Sequence, residues 1–308
     1  MMSTMRRSRM FTMAGAALFV LALAVGWAWN DSMAQPKRIR LGASFSGLHH
    51  SAYVIVAKAM QEEAKKQDVE LLVTDSKDQL AKQISDIEDL ITKGVDALMI
   101  NAVAKGTEPV VERAVERGIK VLAIQRTIAS PKVHQFVGSD NVEVGKFGAQ
   151  WVVKKLNGKG NVVVLQGVPG AASSDDRQKG SSEVWPKHPG IKIVANQPGM
   201  YNRAKAIVVM ENILQAHKEI DLIFSFNDDM AIGVVGALKA ADRRAMVVGM
   251  DAIPDAVKAV ERGEMTATVE IDFHQEGVVA VQNALKLIKG EKLPPNHIIG
   301  QRMLEHKP

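Results

Sequence analysis

The sequence predicts an α/β fold of two similar lobes, each a parallel sheet covered by helices on both faces. Three observations carry that expectation. Short β-branched runs alternate with amphipathic helical stretches, the strand-like runs are apolar on both faces, and the alternation restarts midway along the chain. A length of 308 residues accommodates about two domains.

In the first half, strands are expected at Ile39 to Ser44, Val69 to Thr74, Ala97 to Ile100 and Val121 to Ile124. The helices between them run from Ala52 to Lys66, Gln79 to Thr92 and Pro109 to Arg117. The second of these sets Leu80, Ile84, Ile87 and Ile91 on one face at steps of three or four residues, and Gly94 ends it. Thr107 can cap the third and Gly118 can close it. A helix from Val142 to Leu156 and the turn Asn157-Gly158-Lys159-Gly160 precede the restart. Strands then follow at Val162 to Gln166, Ile191 to Ala195, Leu222 to Phe226, Met246 to Met250 and Ala267 to Ile271. Helices over Ala204 to Ala216, Met230 to Ala240 and Asp255 to Arg262 separate them, and a last helix, Gln275 to Lys289, leads through Lys292-Leu293-Pro294-Pro295 to a short tail. With no short tandem repeat, a solenoid is excluded.

Composition removes several kinds of chemistry. The chain has no cysteine, which excludes disulfides, thiolate nucleophiles, Cys-ligated metals and the acyl anchor of a bacterial lipoprotein. Residues 1–34 read as an export signal: Arg6, Arg7 and Arg9 precede an apolar stretch from Met10 to Trp29, and Ser32-Met33-Ala34 offers a signal peptidase its small residues. Cleavage after Ala34 removes three arginines and one aspartate and lowers the formal charge from +5 to +3, too mild for an electrostatic nucleic-acid binder. A periplasmic location follows from this reading, with an uncleaved membrane anchor as its rival.

In open parallel sheets ligands bind beyond the carboxyl ends of the strands. The segments there are rich in planar bidentate groups (Gln125, Arg126, Asn227, Asp251) and aromatics (Phe45, Tyr53, Tyr201, Phe273). Such a set suits a polyhydroxylated ligand, since carboxylates, amides and guanidinium forks each hold two hydroxyls while aromatic faces cover C–H surface. Gly167-Val168-Pro169-Gly170 is a turn rather than a phosphate loop, because no Gly-x-Gly-x-x-Gly or Gly-Lys-Ser/Thr is present. His49-His50, taken with His134 or His274, matches no compact metal motif and reads as loop histidines. The run Ser173-Ser174-Asp175-Asp176-Arg177 opens a helix, where acids suit the dipole without any ligand. No Gly-x-Ser-x-Gly occurs and no carboxylate pair stands out, so neither an enzyme nor a cofactor is expected.

Four segments are more specific: Val137-Gly138-Ser139-Asp140-Asn141, Val164-Leu165-Gln166-Gly167, Phe226-Asn227-Asp228-Asp229-Met230-Ala231-Ile232-Gly233 and Val248-Gly249-Met250-Asp251-Ala252-Ile253-Pro254-Asp255. In them the chain resembles the ribose- and galactose-binding group of periplasmic sugar-binding proteins of ABC transporters, from about Lys37 to Pro294. The resemblance implies the type I periplasmic binding fold, two Rossmann-like lobes joined by a three-strand hinge that crosses near Ser139, near Asp272 and after the last helix. The lobes expected on this basis are residues 35–138 plus 272–295 and residues 139–271 plus 296–308. It also implies sugar contacts at Tyr53, Arg126, Tyr201, Asn227 and Asp251. Three positions depart from the ribose pattern: Gln125 stands where an aspartate is usual, Asp175 where an arginine is usual, and Ile271, flanked by Glu270 and Asp272, near a usual glutamine. These departures put ribose itself in question and leave the transport role intact. The expected function is an exported monomer that captures a neutral monosaccharide or polyol and hands it to an inner-membrane permease. The alternative is a periplasmic sensor that feeds a chemoreceptor or histidine kinase. A sugar-responsive repressor would need DNA-binding helices where residues 1–34 are apolar.

Overall fold

The apolar runs form strands whose neighbouring residues bury against opposite layers. On β3 (Ala97–Ile100) and β4 (Lys120–Ile124), Leu98, Ile100, Val121 and Ala123 join one core cluster while Ala97, Met99, Leu122 and Ile124 join another. A strand buried on both faces needs helices on both sides, and the chain supplies them. The computed structural model describes Arg38 to His306; the expected export signal, residues 1–34, lies outside the described residues.

The first sheet is ordered β2-β1-β3-β4-β5-β11 and is wholly parallel. Its other strands are β1 (Arg40–Phe45), β2 (Glu70–Asp75), β5 (Gln135–Gly138) and β11 (Asn296–Ile298). One face carries α1 (Ser51–Lys66) and the last helix, α9 (Phe273–Ile288), packed on each other. The other carries α2 (Leu80–Thr92) and α3 (Glu108–Glu116). The second sheet repeats the arrangement as β7-β6-β8-β9-β10-β12, with β6 (Gly160–Gln166), β7 (Ile191–Pro198), β8 (Leu222–Ser225), β9 (Met246–Asp251), β10 (Ala267–Ile271) and an antiparallel edge strand, β12 (Gln301–Glu305). Its helices are α4 (Asn141–Lys155), α5 (Ala172–Ser182), α6 (Arg203–Ala216), α7 (Asp228–Ala240) and α8 (Pro254–Glu261). Both sheets therefore have the doubly wound order in which the second strand lies outside the first.

Three short strands escaped the periodicity reading, because β5, β11 and β12 are only three to five residues long. Asn296–Ile298 pairs with Phe136–Gly138 in the first sheet. The last passage between sheets therefore falls at Ile299 and Gly300, three residues beyond the expected boundary at 296. Thr107 sits at the cap position of α3 without a capping bond, its hydroxyl donating instead to the Ala104 carbonyl at 3.1 Å. Trp185 is buried on a single 3-10 turn, Trp185–Lys187.

Helices α4 and α5 approach until their backbones touch. A Cβ at Gly180 would overlap the Val142 carbonyl, and one at Gly145 would overlap the Arg177 carbonyl. Gly180→Ala should therefore force the helices apart and cost about 1–3 kcal/mol. Gly236, on the exposed face of α7, has no neighbour within 4 Å, so Gly236→Ala should be neutral or stabilise by up to about 1 kcal/mol. Urea unfolding of both variants measures the contrast.

Candidate ligand-binding site

In each sheet the strand order reverses beside its innermost first strand, between β1 and β3 and between β6 and β8. Helix N-termini and loops converge on the crevice at such a point. The carboxyl-end loops of the two sheets face one another and enclose a small cavity lined by residues of both, among them Tyr53 and Gln125 from one side and Arg177 and Asp251 from the other.

Arg177 supplies the buried cation. The close α4–α5 contact carries it inward, where it is 3% exposed. Its Nε donates to Asn141 Oδ1 at 2.9 Å, its Nη1 to the Phe226 carbonyl, and its Nη1 and Nη2 reach Asp251 Oδ1 at 3.4 and 3.3 Å. The Asn141 amide donates in turn to the Gln125 carbonyl at 3.1 Å, tying the end of β4 to the start of α4. Asn227 caps α7, its Oδ1 accepting from the Met230 N–H at 3.0 Å, which leaves its amide N–H groups to other partners. Gln125 donates through Nε2 to Glu276 at 2.7 Å, so its own oxygen stays available. Burial raises the Glu276 carboxyl well above the ordinary range.

Aromatic walls stand across from one another. Tyr53 on α1 lies 6.3 Å from the Phe45 ring behind it and 5.2 Å from His50. Tyr201 rests on the backbone of Gly167, where any Cβ would overlap its ring, and meets His50 edge-on at 6.3 Å. Ser51 closes the rim by donating its N–H and hydroxyl to the Asp229 carboxylate at 3.3 and 3.1 Å. Three lining residues hold left-handed backbone: Gln125 at φ 63°, Tyr201 at φ 52° and Asp251 at φ 114°. Each such residue carries a conformational cost, and outliers of this kind gather where side chains must be aimed.

Of the residues expected from sequence, Tyr53, Gln125, Tyr201, Asn227, Asp251 and Phe273 line this cavity. The other five stand elsewhere. Phe45 is fully buried and supports Tyr53 from behind. Arg126 lies beneath the Tyr53 ring, its Cζ 5.6 Å from the centroid, and opens on a neighbouring cavity; its Nη1 is held by the carbonyls of Ala102 and Val103. Asp175 accepts from the Gly170 N–H at 3.2 Å on the outer face of α5. Glu270 pairs with Arg302 across β10 and β12. Asp272 caps α9 by accepting from the Gln275 N–H at 2.8 Å.

The arginine sought at 175 is thus supplied at 177. Two residues on a helix are separated by about 200°, so Asp175 and Arg177 point to opposite faces and only the second enters the cavity. Sequence reasoning read Arg177 as part of a helix-opening run and also missed His50, Ser173 and Asp229 as lining groups. Helical phase against the small residues Ala172, Ser173 and Gly180 was the signal for Arg177.

Burial pushes the Asp251 carboxyl up to about 7, against the opposing pull of Arg177. A carboxyl raised in the folded state favours folding while it is protonated and loses that contribution as pH rises through its folded value. Between about pH 5 and pH 8 the unliganded protein should lose stability. Asp251→Asn should lose less over the same interval, as read from urea midpoints at both pH values.

The chain was compared with known proteins. Residues 43–292 match the family model described as a periplasmic binding protein domain. The chain is 33% identical over 268 residues to the ribose import binding protein of Bacillus subtilis (strain 168), covering 87% of each. It is 34% identical over 259 residues to the galactofuranose-binding protein of Escherichia coli (strain K12), covering 80% of this chain and 81% of the other. Among solved structures it is similar to an ABC transporter solute-binding protein of Bacillus halodurans C-125 with bound myo-inositol, with a TM-score of 0.83, 28% identity, and 87% of this chain and 94% of that one covered. With its two doubly wound lobes and its site between them, the chain belongs to the periplasmic binding protein family.

Proposed function

We propose that the protein captures a neutral monosaccharide or polyol outside the cytoplasm and delivers it to the permease of an ABC importer. The observation that carries this reading is the charge balance of the cavity. Arg177 is already engaged by Asp251, Asn141 and the Phe226 carbonyl, and Asp229 by Ser51 and by Arg203 at 3.0 Å. Charged groups satisfied in this way leave no strong demand for a counter-ion from the ligand. What remains is a set of hydrogen-bonding edges: the second oxygen of Asp251, the Asn227 amide and the Gln125 oxygen. Tyr53, Tyr201 and Phe273 supply apolar faces, the combination that vicinal hydroxyls and C–H surface require. Arg126 lies beneath Tyr53 on the neighbouring cavity, with Nε and Nη2 buried and unpartnered among the described residues; a ligand hydroxyl or ring oxygen reaching past Tyr53 would satisfy them. The ligands of these relatives, ribose, galactofuranose and myo-inositol, are neutral and polyhydroxylated.

The lobes that close on the ligand would be residues 39–138 with 273–298 and residues 141–271 with 301–305. A sensor role has less support, since the ribose-binding relative is named for import.

Calorimetry with a panel of neutral sugars and polyols tests the reading. One of them should bind, and at about 100 times its dissociation constant it should add about 2.7 kcal/mol to stability. Asp251→Ala should weaken binding by about 30- to 150-fold, the loss of charge-assisted hydrogen bonds. Tight binding of a sugar phosphate in preference to every neutral ligand, or full affinity in Asp251→Ala, would overturn it.

We read residues 1–34 as a cleaved export signal and the mature protein as a periplasmic monomer. Among the described residues no helix is long and apolar enough to cross a membrane. Intact mass of the protein released from the periplasm should correspond to a chain beginning at Gln35, and recovery of all 308 residues in the membrane fraction would reject cleavage.

A further inference from the structure

At the rim of the first lobe the loop after β1 meets the loop after β2. His49 and His50 come from the first and Asp78 from the second. His49 Nε2 is 3.1 Å and His50 Nε2 3.4 Å from the same carboxylate oxygen, Asp78 Oδ2. One donor atom from each of the three residues falls within 4.8 Å of the others.

A tetrahedral zinc ion with Zn–N and Zn–O bonds of about 2.0–2.2 Å separates neighbouring donors by about 3.3–3.5 Å. The two contacts to Asp78 already have nearly that spacing, and the two imidazole donors lie within 4.8 Å of each other, so an ion would draw the three donors together by modest side-chain movements. We propose that His49, His50 and Asp78 form a binding site for a divalent cation of the zinc class. Two imidazole nitrogens and one carboxylate oxygen suit a borderline-soft ion, whereas calcium and magnesium prefer all-oxygen shells. Three protein ligands leave a fourth position for water.

The supporting structure holds the donors in place. The His49 ring lies so close over Gly47 that a Cβ there would stand 2.6 Å from its Cε1. The two imidazoles stack with centroids 4.1 Å apart, and His50 is further braced by Tyr53. Asp78 is anchored by its N–H on the Ser46 carbonyl at 2.6 Å. The Asp75 carboxylate gathers the N–H groups of Leu48 and Lys77, each at 3.1 Å, which ties the two loops together. Neither His134 nor His274 takes part. His134 accepts from the Val121 N–H at 3.2 Å, and His274 faces Glu62. The missing third ligand is Asp78, almost thirty residues from the histidines in sequence. His50 also lines the ligand cavity, so the ion would sit at its edge and pin two loops of the first lobe.

The test uses the untagged chain, dialysed free of metal and of sugar, titrated with zinc chloride in a calorimeter; it does not depend on what the cavity binds. One zinc per chain should be taken up. His49→Asn, at a half-exposed position, and Asp78→Asn should each weaken uptake by more than about tenfold. Their circular dichroism without zinc should match the parent. Calcium chloride should give no saturable heat, and X-ray absorption at the zinc edge should show scattering from two imidazoles. No saturable zinc uptake by the folded parent, undiminished uptake in His49→Asn and Asp78→Asn, or equal uptake of calcium would overturn the proposal.

Discussion

The buried Arg177–Asp251 pair is the constraint on which the cavity depends. Removing a guanidinium and a carboxylate from water costs several kcal/mol for each ion unless their hydrogen-bonding capacity is met. For the guanidinium, carried on α5, it is met by groups from three other elements: the N-terminal residue of α4, the end of β8 and the end of β9. Satisfying one arginine therefore fixes the relative positions of the strand ends that line the second half of the site. The Asn141 amide extends the network to the Gln125 carbonyl, so the same arginine bears indirectly on the first lobe.

The pair exists because two helices meet without side chains between them. Gly145 and Gly180 bring the backbones of α4 and α5 together, and that approach delivers the arginine to the centre of the molecule rather than to its surface. Packing and electrostatics are thus coupled: a methyl group in the helix contact displaces a charge in the cavity. Backbone strain enters in the same way. Of the left-handed residues, Gln125 follows and Asp251 ends a buried strand. The sheets can hold those conformations because their strands are themselves fully packed.

The rim has a different character from the floor. Floor contacts join charged groups that are almost fully buried, whereas the Ser51–Asp229 contact crosses between the lobes at partly exposed positions. Exposed contacts are individually weak. A site built with a rigid floor and a weak rim can open at the rim while keeping its binding groups aligned, which suits a protein that must both enclose a ligand and release it.

The sequence by itself determined the order of helices and strands, the repetition of one doubly wound unit, and the polar strand ends at Tyr53, Gln125, Tyr201, Asn227 and Asp251. These are local properties: periodicity of apolar residues and the position of polar residues after an apolar run. Only the tertiary structure decided which neighbours turn inward. It sent Arg177 into the cavity and Asp175 away from it, since helical phase is set by what the helix packs against. It assigned β11 to the first sheet and β12 to the second, since strands of three to five residues carry too little pattern to choose a partner. It also brought Asp78 to His49 and His50, a meeting of two loops whose sequence separation hides it from any motif. Burial, which raises the Asp251 and Glu276 carboxyls, likewise belongs to the folded chain, because it is produced by everything packed around a group rather than by the residues beside it in sequence.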